Sequence, residues 1–269
     1  MFKKVLPIVI VILSATTVIS CIMIANTLMR SNAEIKDFES LAALTQKQLE
    51  NESNQTTTES KEDETSGTSI ESPETEPKPI FTRNLTPLFE KNNECIGWIC
   101  ISDTAVDYPV MHTPQDQEKY LRKNFDCEYS SSGVPFMQGN NTLESDNIII
   151  YGHNMKNGTM FSDITKYREK SFCIEHPSIE FETGQGLKVY TVFAVVQVKN
   201  TDDWYGFTIS ADEADYQDKI AMIEESALYT TDIDPQYGQQ LLTLSTCYGN
   251  SKSDRLIVIG VETAINIAY

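Results

Sequence analysis

The sequence predicts a closed or near-closed β-barrel with helices laid over it, preceded by one N-terminal membrane-spanning helix. Three observations lead there. Residues 5–29 carry no charge and are almost all apolar. Residues 51–79 are polar, dominated by Glu, Ser, Thr and Pro, with Ile70 the single apolar residue. Residues 80–269 contain eight short runs rich in Val, Ile, Tyr and Thr, bounded by Gly, Asn or Asp, the composition of strands rather than helices.

The apolar run is long enough to cross a hydrocarbon core of ~30 Å, which takes about 20 helical residues. Lys3 and Lys4 precede it, so the positive-inside bias places the N-terminus in the cytoplasm and the rest of the chain outside. A cleaved signal peptide has a shorter apolar region and a small-residue cleavage site, and neither is present. Val18-Ile19-Ser20-Cys21 is similar to a lipidation signal, which leaves a lipid anchor at Cys21 as the alternative. The run continues past Cys21 through Met29, which favours an uncleaved span.

Beyond the span, Ile35, Phe38, Leu41 and Leu44 form a helical stripe too short for a coiled coil. Residues 51–79 cannot bury enough surface to offset the entropy of ordering, so a flexible stalk is expected there. The division is therefore an anchor over 1–30, an acidic stalk over 31–79 and a folded domain over 80–269. That last segment carries fourteen basic and twenty-seven acidic side chains. Such an acidic surface repels phosphate backbones and disfavours nucleic acid as a partner. No metal site is expected, because His112, His153 and His176 stand far apart and no two cysteines are separated by two residues. No cofactor is expected either.

Within the folded domain, strands are expected over 97–102, 106–111, 134–137, 147–152, 178–182, 187–199, 240–246 and 256–262. Helices are expected over 84–91, 115–123, 160–170 and 210–229. The last has Ser210 as N-cap and Glu213 three residues on, a capping-box pattern. Five cysteines lie beyond the apolar run: Cys95, Cys100, Cys127, Cys173 and Cys247. An odd number leaves at least one thiol unpaired, and a Cys95–Cys100 pair stays open. Buried structural thiols are the commoner case.

Cys247 ends an apolar strand and precedes a turn, a placement that gives access on one side and rigidity on the other. A nucleophile needs both. Arg255 opens the next strand, and a hairpin between the two brings their ends together. A guanidinium beside a thiol lowers its pKa and steadies negative charge on an attacked carbonyl oxygen. A surface pair with Asp254 is the plain alternative for Arg255. His153 follows the apolar strand ending Tyr151-Gly152, where a barrel rim would bring it to the thiol. There an imidazole takes up a proton and delivers it to a departing amine. His112 and His176 lead into Thr-Pro and Pro turns and lack this setting.

Taken together, YGHNMKNGTMFSDITKY (151–167) and TLSTC (243–247), with Arg255 downstream, resemble the signatures of the sortase family, specifically class B. GWICISDTAVDYPVMH (97–112), KYLRKNF (119–125) and SSSGVPFM (130–137) are similar to its earlier stretches. The helix expected over 210–229 matches the extra helix that class B members carry between their sixth and seventh strands. The order His, Cys, Arg also agrees. Two positions depart from the family: Gln138 stands where an Asp is frequent, and Tyr248 where an acidic or polar residue follows the Cys. Both touch the expected substrate groove.

The resemblance implies a mainly β fold, an eight-stranded sortase-type barrel with peripheral helices. It implies a cysteine transpeptidase on the outer face of a Gram-positive membrane. Cys247 would attack after Thr in the C-terminal sorting motif of a secreted surface protein, His153 would protonate the leaving amine, and Arg255 would hold the oxyanion or substrate backbone. An amine of a peptidoglycan precursor, or a pilin Lys, would resolve the thioacyl-enzyme. Tyr151, Ser245 and Leu121 match groove positions. Two other readings compete: an extracellular thiol peptidase with water as acceptor, and a tethered adhesion or scaffold domain without activity.

Overall fold

The computed structural model describes residues 2–55, 79–249 and 251–263, and the chain divides into two compact units, residues 1–41 and 42–269. The first unit lies within one long helix, α1 (Phe2–Gln55). Its segment Leu13–Gln46 is long and apolar enough to cross a membrane. Helix α1 runs on through 31–55, the first part of the expected stalk and into its polar tract. Once a helix is nucleated each further residue adds a hydrogen bond, so propagation into Glu, Asn and Gln is inexpensive. The remainder of the expected stalk, 56–78, lies outside the described residues.

In the second unit, all eight expected strands are present: β1 (Cys95–Cys100), β2 (Asp107–Met111), β3 (Phe136–Met137), β4 (Asn147–Tyr151), β5 (Ser178–Thr183), β6 (Gly186–Lys199), β8 (Leu241–Cys247) and β9 (Asp254–Thr263). A ninth, β7 (Ala227–Thr230), is new. The hydrogen-bonded order is β5-β1-β2-β3-β4-β8-β9-β6, and β5 pairs with β6 to complete the ring. Closure works because β6 is long enough to be shared. Its first half pairs with β5, Ser178 opposite Thr191, and its second half with β7, Ala194 opposite Thr230. β9 runs along the other edge throughout, from Val189–Thr263 to Lys199–Asp254. Eight strands thus form a closed barrel without an exposed edge, and β7 extends only the outer half of β6.

Strands β8 and β9 read as near-continuous apolar runs because both faces are covered. Ile257, Ile259 and Val261 of β9 join Phe193 and Val196 of β6 in a buried cluster with Trp204, Phe207, Tyr216, Ile220 and Ile223. The last three residues lie on α4 (Glu213–Ser226), so that helix seals the outer wall. Its N-cap is Asp212, not Ser210: the Asp212 carboxylate accepts from Asp215 N at 3.0 Å. Ser210 is held instead at the foot of β4, where its N donates to Asp146 Oδ2 at 2.6 Å. The helix stops at Ser226 because Ala227–Thr230 is drawn off to pair with β6.

Two smaller helices are α2 (Thr86–Lys91) and α3 (Lys170–Glu175). The helix expected over 115–123 is a single 3₁₀ turn, Lys119–Arg122, and that over 160–170 is the 3₁₀ stretch Asp163–Arg168 followed by α3. The segment before α2 is tied to β6 by the carbonyl of Ile80, which accepts from Leu187 N at 2.8 Å. Buried Glu182 receives Thr82 N, Thr82 Oγ1 and Arg83 N, so its charge is fully hydrogen-bonded.

Candidate active site

Three neighbouring strand ends make one rim. β4 and β8 run parallel, with Tyr151 opposite Ser245, so the segment leaving β4 passes beside Thr246 and Cys247. Three hydrogen bonds hold it there. Gly152 N donates to Ser245 O at 3.1 Å, Thr246 Oγ1 to Gly152 O at 2.8 Å, and Asn154 Nδ2 to Cys247 O at 3.0 Å. On the other side, β9 places Arg255 directly opposite Cys247. The hairpin between them needs a residue at φ +85°, supplied by Gly249. Gly152 is required for a different reason: a Cβ there would sit 2.5 Å from the ring of fully buried Phe161.

A cavity of about 290 Å³ opens on this rim. It is lined by His153, Cys247, Arg255, Tyr151, Ser245 and Leu121, all six of the residues expected from sequence. Phe136, Tyr205 and Glu118 complete the walls used below. Cys247 is exposed, at the end of a strand whose six preceding residues are buried. That is the fixed but accessible placement that attack demands.

His153 Nε2 lies 2.9 Å from the carbonyl oxygen of Leu121. A carbonyl oxygen can only accept, so Nε2 carries the proton and Nδ1 is the free basic nitrogen of the neutral ring. Burial is the main cause that lowers the His153 pKa below its ordinary 6.5, with the charges of Arg122 and Arg255 adding to it. The Leu121 carbonyl acts in the opposite direction. The ring is therefore neutral at physiological pH, poised as a base.

Arg255 Nη1 donates to Lys252 O at 2.8 Å and Asp254 O at 2.9 Å. Among the described residues it forms no ion pair with the Asp254 carboxylate, so the plain surface-pair alternative does not hold. Backbone carbonyls orient the guanidinium without cancelling its charge, which stays available to an oxyanion.

A tyrosine wall forms the side of the cavity. The Tyr151 ring lies 5.5 Å from Phe136 and 5.7 Å from Tyr205. Tyr151 Oη donates to Gln138 Oε1, and Gln138 Nε2 donates to Tyr205 O at 3.0 Å and Asn140 Oδ1 at 2.7 Å. Tyr205 Oη in turn meets Ser245 Oγ at 2.9 Å. Burial raises the pKa of both tyrosines, which keeps them neutral donors. Gln138 thus acts from behind the groove wall rather than on its surface. Sequence reasoning missed Tyr205, which sits on a 3₁₀ turn (Asp203–Gly206) with no periodic signal; the aromatic run Trp204-Tyr205 was the available hint. It also missed Asn154, adjacent to His153 in sequence, as the tie to the Cys247 carbonyl.

The other sulfurs and imidazoles lie elsewhere. Cys95 and Cys100 are both free thiols. They stand five residues apart on one extended strand, about 16 Å at strand rise, far beyond disulfide reach. Burial pushes their thiols up to about 12 and about 11. Cys173 is buried, whereas Cys127 is exposed rather than a buried apolar filler. His112 Nε2 faces Gly139 O at 3.4 Å, and His176 Nδ1 faces Ser102 O at 3.0 Å.

Comparison with known proteins agrees with this architecture. The family model described as the Sortase domain matches residues 99–263. Sortase B of Listeria monocytogenes is 35% identical over 165 residues, covering 61% of this chain and 66% of that enzyme, just under two thirds of its length. A Staphylococcus aureus sortase B–substrate complex superposes with a TM-score of 0.71 at 23% identity, covering 88% of this chain and 100% of that one. Clostridium perfringens sortase B gives a TM-score of 0.63 at 29% identity, covering 66% of this chain and 99% of that one. With the closed eight-stranded barrel and its rim in place, the chain belongs to the sortase family, in class B.

Proposed function

We propose that the protein is a membrane-anchored transpeptidase that cleaves a C-terminal sorting motif after Thr and transfers the secreted surface protein to an amine. The supporting observation is that Cys247, His153 and Arg255 line one cavity, delivered by adjacent ends of β8, β4 and β9. Cys247 Sγ gives its proton to His153 Nδ1 and attacks the Thr carbonyl carbon. Arg255 steadies the resulting oxyanion. As the C–N bond breaks, the imidazolium protonates the leaving amine, and the thioacyl-enzyme remains. The acceptor is a peptidoglycan-precursor amine or a pilin Lys. Tyr151, Ser245 and Leu121 hold the substrate backbone and apolar side chains along the groove. Residues 1–30 anchor the enzyme in the cell membrane with the N-terminus inside, 31–79 act as a spacer, and 80–269 form the catalytic domain outside.

The test is a panel of sorting-motif peptides offered with an amine acceptor, followed by mass spectrometry of enzyme and products. A Cys247-linked acyl adduct and a ligated product are expected. Ligation by Cys247→Ala equal to that of the wild type would refute the proposal. Hydrolysis alone, even at high amine concentration, would point to a peptidase.

A further inference from the structure

We infer that Glu118 is the residue that recognises the incoming acceptor, binding it as an ammonium cation before it attacks the thioacyl-enzyme. The inference rests on the proposed transpeptidation and names the acceptor side of that same cavity. Of the residues lining the cavity, Glu118 is the one carboxylate, and Arg255 is the one permanent cation. The cavity thus offers one cation, suited to a carbonyl oxygen, and one anion, suited to an amine. Among the described residues the Glu118 side chain has no ion-pair partner. Some other carboxylates of the domain do form ion pairs: Glu94 with Lys119, Asp107 with Arg83, Asp126 with Lys91, and Glu262 with Lys188. The exposed Glu118 carboxylate is therefore available to a ligand.

Position and competition point the same way. Glu118 caps the 3₁₀ turn Lys119–Arg122, and its carbonyl accepts from Leu121 N at 3.0 Å. The carbonyl of that same Leu121 receives His153 Nε2. Glu118 thus stands one turn before the backbone carbonyl that orients the imidazole. Tyr248, the residue after the nucleophile, cannot serve this role. Its hydroxyl accepts from Arg168 Nη1 at 2.6 Å, and the guanidinium lies 5.4 Å from its ring centre. In the transfer step the docked ammonium releases one proton to water. The free amine attacks the thioester carbon, and the C–N bond forms as C–S breaks with its electron pair leaving on Cys247 Sγ. The second nitrogen proton passes to His153.

The experiment compares two acceptors, triglycine (an ammonium at neutral pH) and hydroxylamine (uncharged), on the wild type and on Glu118→Gln. The readout is kcat/KM for each acceptor, with the peptide donor saturating. Glu118→Gln is expected to lower the triglycine value about fivefold, the scale of an exposed ion pair, and to change the hydroxylamine value much less. The difference should shrink in 1 M NaCl, where the Debye length is about 3 Å. Equal losses with both acceptors, or no loss with triglycine, would overturn the inference. A wild type that forms no acyl-enzyme or hydroxamate would instead refute the transpeptidase reading itself.

Discussion

Replacing Gln138 by Leu tests how the groove wall is held. The side chain accepts from Tyr151 Oη and donates to the Tyr205 carbonyl and to Asn140. Leu fills similar space but leaves the Tyr151 hydroxyl and Tyr205 carbonyl unpaired. Each orphaned buried group costs about 1–3 kcal/mol, and the low end of that range, about 1–1.5 kcal/mol each, applies because both tyrosines are only partly buried. Loss of the exposed Asn140 contact adds little, so a total of about 2–3 kcal/mol is expected. For a domain of this size that is a Tm drop of about 5–10 °C in a thermal melt of the barrel domain. The freed wall should also raise KM for the donor peptide more than it lowers kcat. Gln138→Glu sharpens the test, since a carboxylate still accepts from Tyr151 but faces the Tyr205 carbonyl as a second acceptor. Its deficit should narrow as pH falls and the carboxyl regains a proton to donate. A Gln138→Leu protein melting within 1 °C of wild type, with unchanged KM, would refute this account.

Other expectations follow from the same rim. Gly152→Ala should destabilise the domain by about 1–3 kcal/mol, because its methyl would meet the buried Phe161 ring at 2.5 Å; a urea titration reads this. Arg255→Lys should lower kcat by about a hundredfold or more, since an ammonium cannot reproduce the guanidinium's placement at the oxyanion; single-turnover acylation is the assay. The pH profile of kcat/KM should have an acid limb set by His153 at a pKa below 6.5, and an acid limb above that value would contradict the neutral, buried imidazole. The same lowered pKa contributes stability that is complete above pH 6.5 and is lost as pH falls through the folded value. His112, also lowered by burial, adds in the same window. Urea midpoints at pH 7.5 and 5.5 should therefore differ, with the lower one at pH 5.5.

Strands were legible in the sequence because β-branched runs such as 147–151 and 241–247 carry their own boundary residues. The rim was legible because catalytic residue types sat at strand ends, where a barrel gathers them. β7 was not legible: Ala227–Thr230 follows a helix without a breaker, and only pairing with β6 makes it a strand. The true N-cap was hidden for a similar reason, since Ser210 and Asp212 are equally good caps and the Asp146 contact alone decides between them. Tyr205 lies on one 3₁₀ turn and Glu118 caps another, and such turns have no periodic signature. Their membership of the cavity depends on long-range closure that no local pattern reports.

The parallel pairing of β4 with β8 carries a consequence for biogenesis. Tyr151 and Ser245 are partners although some ninety positions separate them, and β5, β6, α4 and β7 must all be laid down in between. Contacts of such long sequence separation form late and slowly. A nascent polypeptide therefore carries the imidazole without the sulfur until β8 arrives, and the two share a cavity only once the barrel is complete.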